Sequence, residues 1–379
     1  MTVILLFIHF DNMSEEVRNR SLASKTTLSD LSREEKVAVN FVDNKQHYRT
    51  LLLSFLLGII SFAGFLVKSV FGTVTALYIL CVVMMYCSPA AIDIVIFLES
   101  LKNPFHNLSD PVSFGLPSNT VNFYINGTAG KLGAWDIPGK HVSHIQGSEV
   151  DKHAHLRDRR PVILYLHGNA YTRGGGHRVE LYKRLNSLGY HVVTIDYRGF
   201  GDSEGKPSES GVIEDGLTAM KWIRSHSSNA PVYIWGHSLG SGVGGAVARI
   251  LCNEGSSPTG LILEAPFNNL REAAKHFPLT LPFRYLPYYN ETVLDKLEDL
   301  FRTDRRLADV YCPILILHDR ADFTLPIELG RKLYESVKNS RRPYADPVKF
   351  VELDGNHGHK YICESERLPG ILRDFIKTV

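Results

Sequence analysis

The sequence contains little cysteine and almost no net charge. Its five cysteines have no paired spacing, which argues against a disulfide framework and a zinc-binding pattern. The net charge is +2 at pH 7, and no basic stripe with interleaved aromatic residues occurs, so we do not expect nucleic acid as a partner. Internal repeats, low-complexity tracts and the Gly-x-x-x-x-Gly-Lys-Ser/Thr pattern of a nucleotide-binding loop are also missing. We therefore expect no metal and no cofactor.

What the sequence does contain is a long apolar run at residues 51–87, interrupted by a single charge, Lys68. No soluble core needs so long a run, so we expect this segment to meet a membrane. Each half of it is close to the lower limit of about 17 residues that a helix needs to cross the hydrocarbon. A hairpin of two spans would have to turn on Lys68 and Ser69 alone. We therefore predict one span, with the other apolar half in the interface or packed on the protein.

Basic residues near the ends of the run predict its orientation. Arg33, Lys36, Lys45 and Arg49 precede it, whereas only Lys102 follows it closely. Because cytoplasmic flanks carry the excess of Lys and Arg, the N-terminus is predicted to be cytoplasmic and the large C-terminal part lumenal or extracellular.

Three sequons, at Asn107, Asn126 and Asn290, fall on that predicted outer side. An Asn-x-Ser/Thr sequon is an acceptor for N-glycosylation, which is a modification of exported protein. The three positions therefore agree with the predicted topology and are candidate glycosylation sites.

From Thr120 onward, short β-rich apolar runs alternate with helix-like segments, which predicts an α/β fold with a doubly wound, mainly parallel sheet. An insertion at about 265–304 is rich in proline and aromatic residues and lies where a lid is expected. The predicted domains are a polar cytoplasmic tail (1–50), a membrane segment (51–87), a juxtamembrane linker (88–118) and a catalytic domain (119–379).

Residues 236–240, Gly-His-Ser-Leu-Gly, follow an apolar run at 231–235 and open a small-residue run at 241–248. This order predicts a strand, a sharp turn and a helix, with Ser238 exposed at the apex as a nucleophile. The flanking glycines remove the Cβ atoms that such a turn cannot accommodate. Residues 201–205 match the same pattern, but they lie in a polar stretch and are predicted to be a loop.

A serine nucleophile needs a base to take its proton and an acid to orient that base. The apolar run before His318 leads to Asp322, which we predict to be the acid; Asp319 and Glu264 are the alternatives. The base should follow the last strand, where His357 and His359 both occur. Their spacing alone does not decide between them.

The oxyanion of the tetrahedral intermediate needs preset backbone donors. We expect one from Leu239, which follows the nucleophile, and one from Asn169 in the loop after an earlier strand. A glycine-rich loop follows at once and carries Arg173 and Arg178. These arginines are candidates for binding a phosphate or carboxylate head group, although an ordinary flexible connection accounts for the loop equally well.

Together these motifs resemble the α/β-hydrolase superfamily, and more narrowly its membrane-anchored lysophosphatidylserine lipases. The segments that carry the resemblance are Leu166-His167-Gly168-Asn169, the run from Asp196 to Ser203, the nucleophile turn and His359-Lys360-Tyr361-Ile362. Matching the last segment to the family implies that His359 is the base. Ser238 and Asp322 match the family's nucleophile and acid.

The resemblance implies a single-pass protein of the endoplasmic reticulum membrane with a lumenal catalytic domain. Its activity would be cleavage of the acyl ester of lysophosphatidylserine and of monoacylglycerols, so that its partners are a lipid substrate and the membrane. One alternative is a protein depalmitoylase or other acyl thioesterase, which a lumenal domain argues against. The other is a catalytically inactive lipid-binding protein, which the intact motifs argue against.

Overall fold

The computed structural model of the chain describes residues 32–87, 89–101, 103–140, 151–285 and 289–377. The chain divides between Cys81 and Val82 into two compact units. The larger, C-terminal unit contains the sheet and every predicted site residue.

The first long element is helix α1, Arg33–Cys87. Within the described ranges it is the one helix long and apolar enough to cross a membrane, judged by length and composition, and its apolar stretch is Leu53–Leu80. The helix runs without interruption through Lys68 and Ser69, where a hairpin of two spans would have to turn. The structure therefore presents one candidate span.

The structure describes part of the predicted polar tail, residues 1–50. Residues 1–31 lie outside the described residues, but α1 begins at Arg33, so the remainder of the segment is helical. Between Arg33 and Leu57 the sequence contains no glycine or proline, the residues that most disfavour a helix. Residues 33–50 are therefore helical and continuous with the apolar stretch of α1.

Eight strands form one sheet in the order β1-β2-β4-β3-β5-β6-β7-β8. The pairs β1–β2 and β2–β4 are antiparallel and all other pairs are parallel, so the predicted mainly parallel sheet is confirmed. The strands are β1 Val121–Gly127, β2 Gly130–Ile137, β3 Val162–Leu166, β4 His191–Ile195, β5 Val232–His237, β6 Gly260–Glu264, β7 Ile314–Asp319 and β8 Val348–Leu353.

Helices cover both faces of the sheet, as expected for a doubly wound fold. Side chains of β3 alternate between the two resulting cores, with Leu164 on one face and Ile163 and Tyr165 on the other. This alternation is the two-residue period of a strand, and burial on both faces is typical of parallel sheets. The helices after α1 are α2 Pro89–Phe97, α3 Gly176–Ser187, α4 Glu209–His226, α5 Leu239–Asn253, α6 Leu270–His276, α7 Thr303–Arg306, α8 Ile327–Ser340 and α9 Leu368–Lys377.

Part of the segment at 88–118, which is predicted to be a juxtamembrane linker, packs within the larger, C-terminal unit. Phe97 and Leu108 are buried in its two cores. The indole Nε1 of Trp135 donates a hydrogen bond to the carbonyl oxygen of Leu108 at 2.8 Å. Burial of these apolar side chains holds the segment against the sheet, so the catalytic unit extends well before residue 119.

The insertion at 265–304 contains helix α6 and several short irregular turns, Pro278–Phe283 and Asn290–Leu294 among them. Residues 286–288 lie outside the described residues. Asn269 caps α6 by accepting a hydrogen bond from the backbone N–H of Glu272 at 2.9 Å, a typical N-cap. The insertion thus has local structure of its own, beside the carboxyl ends of the parallel strands.

Candidate active site

Ser238 stands at a sharp turn between β5 and α5. Its backbone lies in the positive-φ region, with φ 53° and ψ −118°, a conformation that costs energy in a residue with a side chain. A Cβ at Gly236 would overlap the carbonyl of Gly240, and one at Gly240 would overlap the carbonyl of Leu166. The two glycines therefore permit the turn that exposes the serine hydroxyl.

The structure places His359 between Ser238 and Asp322. Its Nε2 lies 3.0 Å from the Ser238 Oγ, and its Nδ1 lies 2.7 Å from Oδ2 of Asp322. His357, the other candidate, uses its backbone N–H to donate to Asp319 Oδ2 at 3.2 Å. The geometry thus gives one histidine the contacts that a catalytic base needs.

Asp322 is 4% exposed and well supplied with donors. Its Oδ1 accepts hydrogen bonds from the backbone N–H groups of Thr324 and Leu325, at 2.9 and 2.8 Å. Burial by itself would raise the pKa of Asp322, but hydrogen bonds from His318 and His359 and the charges of these histidines lower it well below its usual value. Asp322 is therefore ionised and able to stabilise an imidazolium.

The two alternative acids have other partners. Asp319 accepts a hydrogen bond from the backbone N–H of Ala321 at 2.8 Å and others from the loop that carries the histidines, so it joins two loops. Glu264 accepts from the indole Nε1 of Trp235 at 2.7 Å. Burial, with a smaller effect of the Asp322 charge, raises the pKa of Glu264 to about 8. Both residues therefore bind neighbouring parts of the structure and do not contact His359 in the way that Asp322 does.

Asn169 and Leu239, the predicted oxyanion donors, both line the pocket beside Ser238. The Leu239 amide is among the first amides of α5, which have no acceptor within the helix. In the loop, the buried guanidinium of Arg178 donates to the carbonyls of Ala170 at 2.8 Å and Thr172 at 2.6 Å. Arg178 therefore fixes the backbone that presents Asn169.

The head-group role predicted for Arg173 and Arg178 is wrong. Arg173 is fully buried and pairs with Asp196 at 2.5 Å and with Asp202 at 2.6 Å. Its guanidinium also lies 5.2 Å from the centre of the Trp135 ring. Arg178 is 1% exposed and holds backbone carbonyls, as described above. Because every charge is engaged inside the protein, these arginines organise the loop and are out of reach of a lipid head group.

A pocket opens at Ser238, and the space inside it, open solvent included, is about 820 Å³. Apolar side chains dominate it, and most of them come from the insertion at 265–304. The residues of the insertion that line the pocket are Phe267, Leu270, Ala273, Ala274, Phe277, Thr280, Tyr289, Val293 and Leu297, and Leu325, from the loop before α8, lines it as well. Such a pocket suits a long acyl chain.

Two histidines that the sequence reasoning did not single out support the site. His318 Nε2 lies 3.3 Å from Asp322 Oδ2 and donates to the carbonyl of Leu325 at 2.9 Å. His237 donates from Nε2 to the carbonyl of His359 at 2.8 Å, and burial lowers the pKa of His237 to about 3. Only their positions in the sequence indicate this role. His318 precedes Asp322 by four residues, and His237 directly precedes Ser238.

Among the described residues, no group of three or more His, Cys, Asp or Glu side chains is placed to hold a metal ion. Outside the active site, His153 and His155 contact the buried carboxylate of Asp136 at 2.6 and 2.9 Å. Residues 141–150 lie outside the described residues.

The sequon residues Asn107, Asn126 and Asn290 are all exposed, as glycosylation requires.

Solved structures share this architecture. An α/β hydrolase from Vibrio vulnificus superposes with a TM-score of 0.59 and 19% identity, covering 77% of this chain and 94% of that one. The esterase Pf2001 from Pyrococcus furiosus gives a TM-score of 0.52 and 19% identity, covering 71% and 92%. A family model described as serine aminopeptidase, S33, matches residues 157–293. Fold and site together define a serine hydrolase of the α/β-hydrolase class.

Curated relatives narrow the class further. The lysophosphatidylserine lipase ABHD12 of Danio rerio is 42% identical over 311 residues, which cover 80% of this chain and 81% of the relative. The Rattus norvegicus protein of the same name is 45% identical over 74% and 73%, and the human Protein ABHD12B is 38% identical over 75% and 80%. The chain belongs to the ABHD12 family of α/β hydrolases, and the resemblance found in its motifs is confirmed.

Proposed function

We propose that this protein is a membrane-anchored lipase that cleaves the acyl ester of lysophosphatidylserine and of monoacylglycerols. The observation that carries the proposal is the hydrogen-bonded line from Ser238 through His359 to Asp322, which opens on an apolar pocket. Relatives named lysophosphatidylserine lipase support the head group. No cofactor takes part in this chemistry.

In the first half of the reaction, the Ser238 Oγ attacks the acyl carbonyl carbon while Nε2 of His359 takes the hydroxyl proton. Asp322 holds the Nδ1–H and stabilises the imidazolium. The backbone N–H groups of Leu239 and Asn169 donate hydrogen bonds to the tetrahedral oxyanion and stabilise its charge. When the intermediate collapses, His359 returns its proton to the leaving glycerol oxygen, and an acyl-enzyme remains.

In the second half, water attacks the acyl carbonyl and His359 takes one of its protons. The same two backbone N–H groups donate hydrogen bonds to the oxyanion of the second tetrahedral intermediate. Collapse breaks the bond to the Ser238 Oγ, which regains its proton from His359. The fatty acid leaves, and the site returns to its starting state with every proton accounted for.

The insertion at 265–304 acts as the lid in this proposal. Phe267, Phe277 and Tyr289 line the pocket that opens at Ser238. Apolar side chains over a nucleophile exclude water from the acyl chain and strengthen the electrostatic contacts at the ester. The lid would thereby favour single-chain lipids over small water-soluble esters.

For the location, we propose a single pass through the endoplasmic reticulum membrane with the N-terminus cytoplasmic and the catalytic unit lumenal. The apolar stretch Leu53–Leu80 supports one pass. The basic residues before it support the orientation. An anchor of this kind keeps the site at the surface where single-chain lipids partition.

Fatty-acid release from three substrates tests the function: lysophosphatidylserine, a monoacylglycerol and an S-acylated peptide. Membranes carrying the wild type and the Ser238→Ala variant are compared. We expect serine-dependent release from the two glycerol esters. Cleavage of the S-acyl peptide alone would favour a thioesterase, and absence of serine-dependent release from all three would favour a lipid-binding protein.

A further inference from the structure

The chain segment that follows the membrane helix forms part of the pocket wall. Val95 and Ile96, near the end of α2, line the same pocket as Ser238 and Asn169. Ile96 is 9% exposed, whereas its neighbour Ile94 is 51% exposed and faces outward. The segment therefore presents one apolar edge to the acyl pocket.

The same segment holds the loop that carries Asn169. The backbone N–H of Ala170 donates to the carbonyl of Phe97 at 3.0 Å, and the N–H of Tyr171 donates to the carbonyl of Leu101 at 2.9 Å. Ala170 and Tyr171 have positive φ angles of 59° and 58°. A backbone held in that region persists only where its surroundings determine it firmly, and these two hydrogen bonds supply part of that restraint.

Phe97 fastens the segment to the rest of the unit. Its side chain is 1% exposed and meets the ring of Phe301 edge to face, with centroids 6.3 Å apart. Phe301 lies inside the insertion, near its end, and its backbone N–H donates to Glu209 Oε1 at 2.6 Å. Phe97 thus links the oxyanion loop to the insertion.

We propose that residues 95–101 are a specificity and positioning element of the active site. The side chain of Ile96 limits the acyl chain that the pocket accepts. The carbonyls of Phe97 and Leu101 hold the oxyanion loop in its active conformation. This inference rests on the proposed ester hydrolysis at Ser238 and adds that the chain leaving the membrane helix contributes to the site as well as tethering it.

Chain-length selectivity tests the role of Ile96. The full chain in membranes is assayed on p-nitrophenyl esters from acetate to palmitate, as wild type, Ile96→Trp and the matched control Ile94→Trp. We expect Ile96→Trp to lose about tenfold or more in kcat/KM on the longest ester, since even one extra methylene in a hydrophobic pocket changes kcat/KM by roughly 10–200-fold. The loss on butyrate should be clearly smaller than the loss on palmitate, and Ile94→Trp should follow the wild type on every ester. A profile for Ile96→Trp parallel to that of the wild type would overturn the inference.

A second pair of variants tests the positioning role. Phe97→Leu and Phe97→Ala weaken the anchor at Phe301, so kcat should fall on every ester, short ones included, while KM changes little. The loss should approach that of one oxyanion donor, about 100-fold, in the alanine variant, and should be smaller with leucine. Thermal unfolding shows whether each variant is folded. If Phe97→Ala does not fold, the kcat of Phe97→Leu is the test. Unchanged kcat in a folded variant would contradict this role.

The ester series also separates this inference from the proposed substrate. If the wild type cleaves the p-nitrophenyl esters but releases nothing from lysophosphatidylserine, the proposed head group is wrong, and the chain-length profiles still decide the role of Ile96. If no ester is cleaved in a Ser238-dependent way, both proposals are wrong.

Discussion

At the level of single residues, Glu264 is a carboxylic acid in a buried environment. It is 3% exposed at the end of β6, and its backbone carbonyl accepts a hydrogen bond from the Ser238 N–H at 2.9 Å. Burial raises its pKa from the usual 4.5 to about 8. The folded protein therefore keeps Glu264 protonated at neutral pH, whereas the unfolded chain does not.

This difference predicts a pH dependence of stability. Below pH 4.5, Glu264 is protonated in both the folded and the unfolded state. Between pH 4.5 and about pH 8 it is protonated only in the folded state. The free energy of unfolding therefore falls as the pH rises through this range, by up to about 1.4 kcal/mol per pH unit. Glu264→Gln keeps an acceptor for Trp235 but removes the titration. We expect the variant to gain stability relative to the wild type as the pH rises from 5 to 8, in chemical denaturation. A difference that does not vary with pH would contradict the assignment.

Because Arg173 is buried in ion pairs, we expect its replacement to lower the stability of the protein. The sequence had suggested that it would weaken binding of a lipid head group. Arg173→Met leaves Asp196 buried without its partner, which typically costs about 3–5 kcal/mol. We expect a lower melting temperature and an unchanged ratio of lysophosphatidylserine to monoacylglycerol hydrolysis. The exposed arginine variant Arg305→Met serves as control and should melt like the wild type. A folded, equally stable Arg173→Met with selective loss on the phospholipid would restore the head-group role.

The sequence could predict Ser238 and Asp322 because strand ends in this fold bring their residues to one edge. It could not choose between His357 and His359 from spacing, since both stand on one irregular loop. It also could not tell that Arg173 is buried. Charge and glycine content are local properties, whereas the acid partners of Arg173 come from distant turns.

At the scale of elements, the strand–turn–helix around Ser238 depends on close backbone approach. A Cβ at Gly240 would meet the carbonyl oxygens of Leu166 and His167, which belong to a buried strand and its loop and cannot move freely. We expect Gly240→Ala to shift the turn and to lose about 100-fold or more in kcat/KM, as small misplacements do. Hydrolysis rates and thermal unfolding of purified protein measure both effects.

Gly176→Ala is the matched control, because a Cβ at Gly176 meets nothing within 4 Å. Gly176 opens helix α3, where alanine is the better helix former. We expect wild-type rates and equal or higher stability for this variant. Wild-type activity in Gly240→Ala would mean that the turn is less constrained than its geometry indicates.

The alternation of elements was predictable because each β-rich run and each helix-like segment has its own period. The polar Gly-x-Ser-x-Gly match at 201–205 was likewise correctly predicted to be a loop. The packing of the segment at 88–118 could not be predicted, because its few apolar residues are buried by tertiary contacts. Phe97 and Leu108 show no local pattern that distinguishes them from residues of an exposed linker.

For the whole molecule, the proposed topology predicts glycosylation. Carbohydrate is attached to sequons only on the lumenal side, and it requires an exposed asparagine. We expect the wild type to shift on an electrophoretic gel after endoglycosidase treatment, and the shift to disappear when Asn107, Asn126 and Asn290 are all replaced by glutamine. Single replacements identify which sites are used.

An unshifted wild type, together with protease cleavage of the catalytic unit from the cytoplasmic side of sealed microsomes, would contradict the lumenal orientation. The same result would bring cytoplasmic S-acylated proteins within reach of the site. The topology measurement therefore also bears on the thioesterase alternative.

The proposed triad and substrate are tested most directly by fatty-acid release from lysophosphatidylserine, using membranes that carry the wild type, Ser238→Ala, His359→Ala or His357→Ala at equal protein level. We predict that the serine and His359 variants lose at least about 1,000-fold in rate, as expected when a triad member is removed. His357→Ala should retain near-wild-type release. Equal losses in the two histidine variants, or undiminished release by Ser238→Ala, would contradict this prediction.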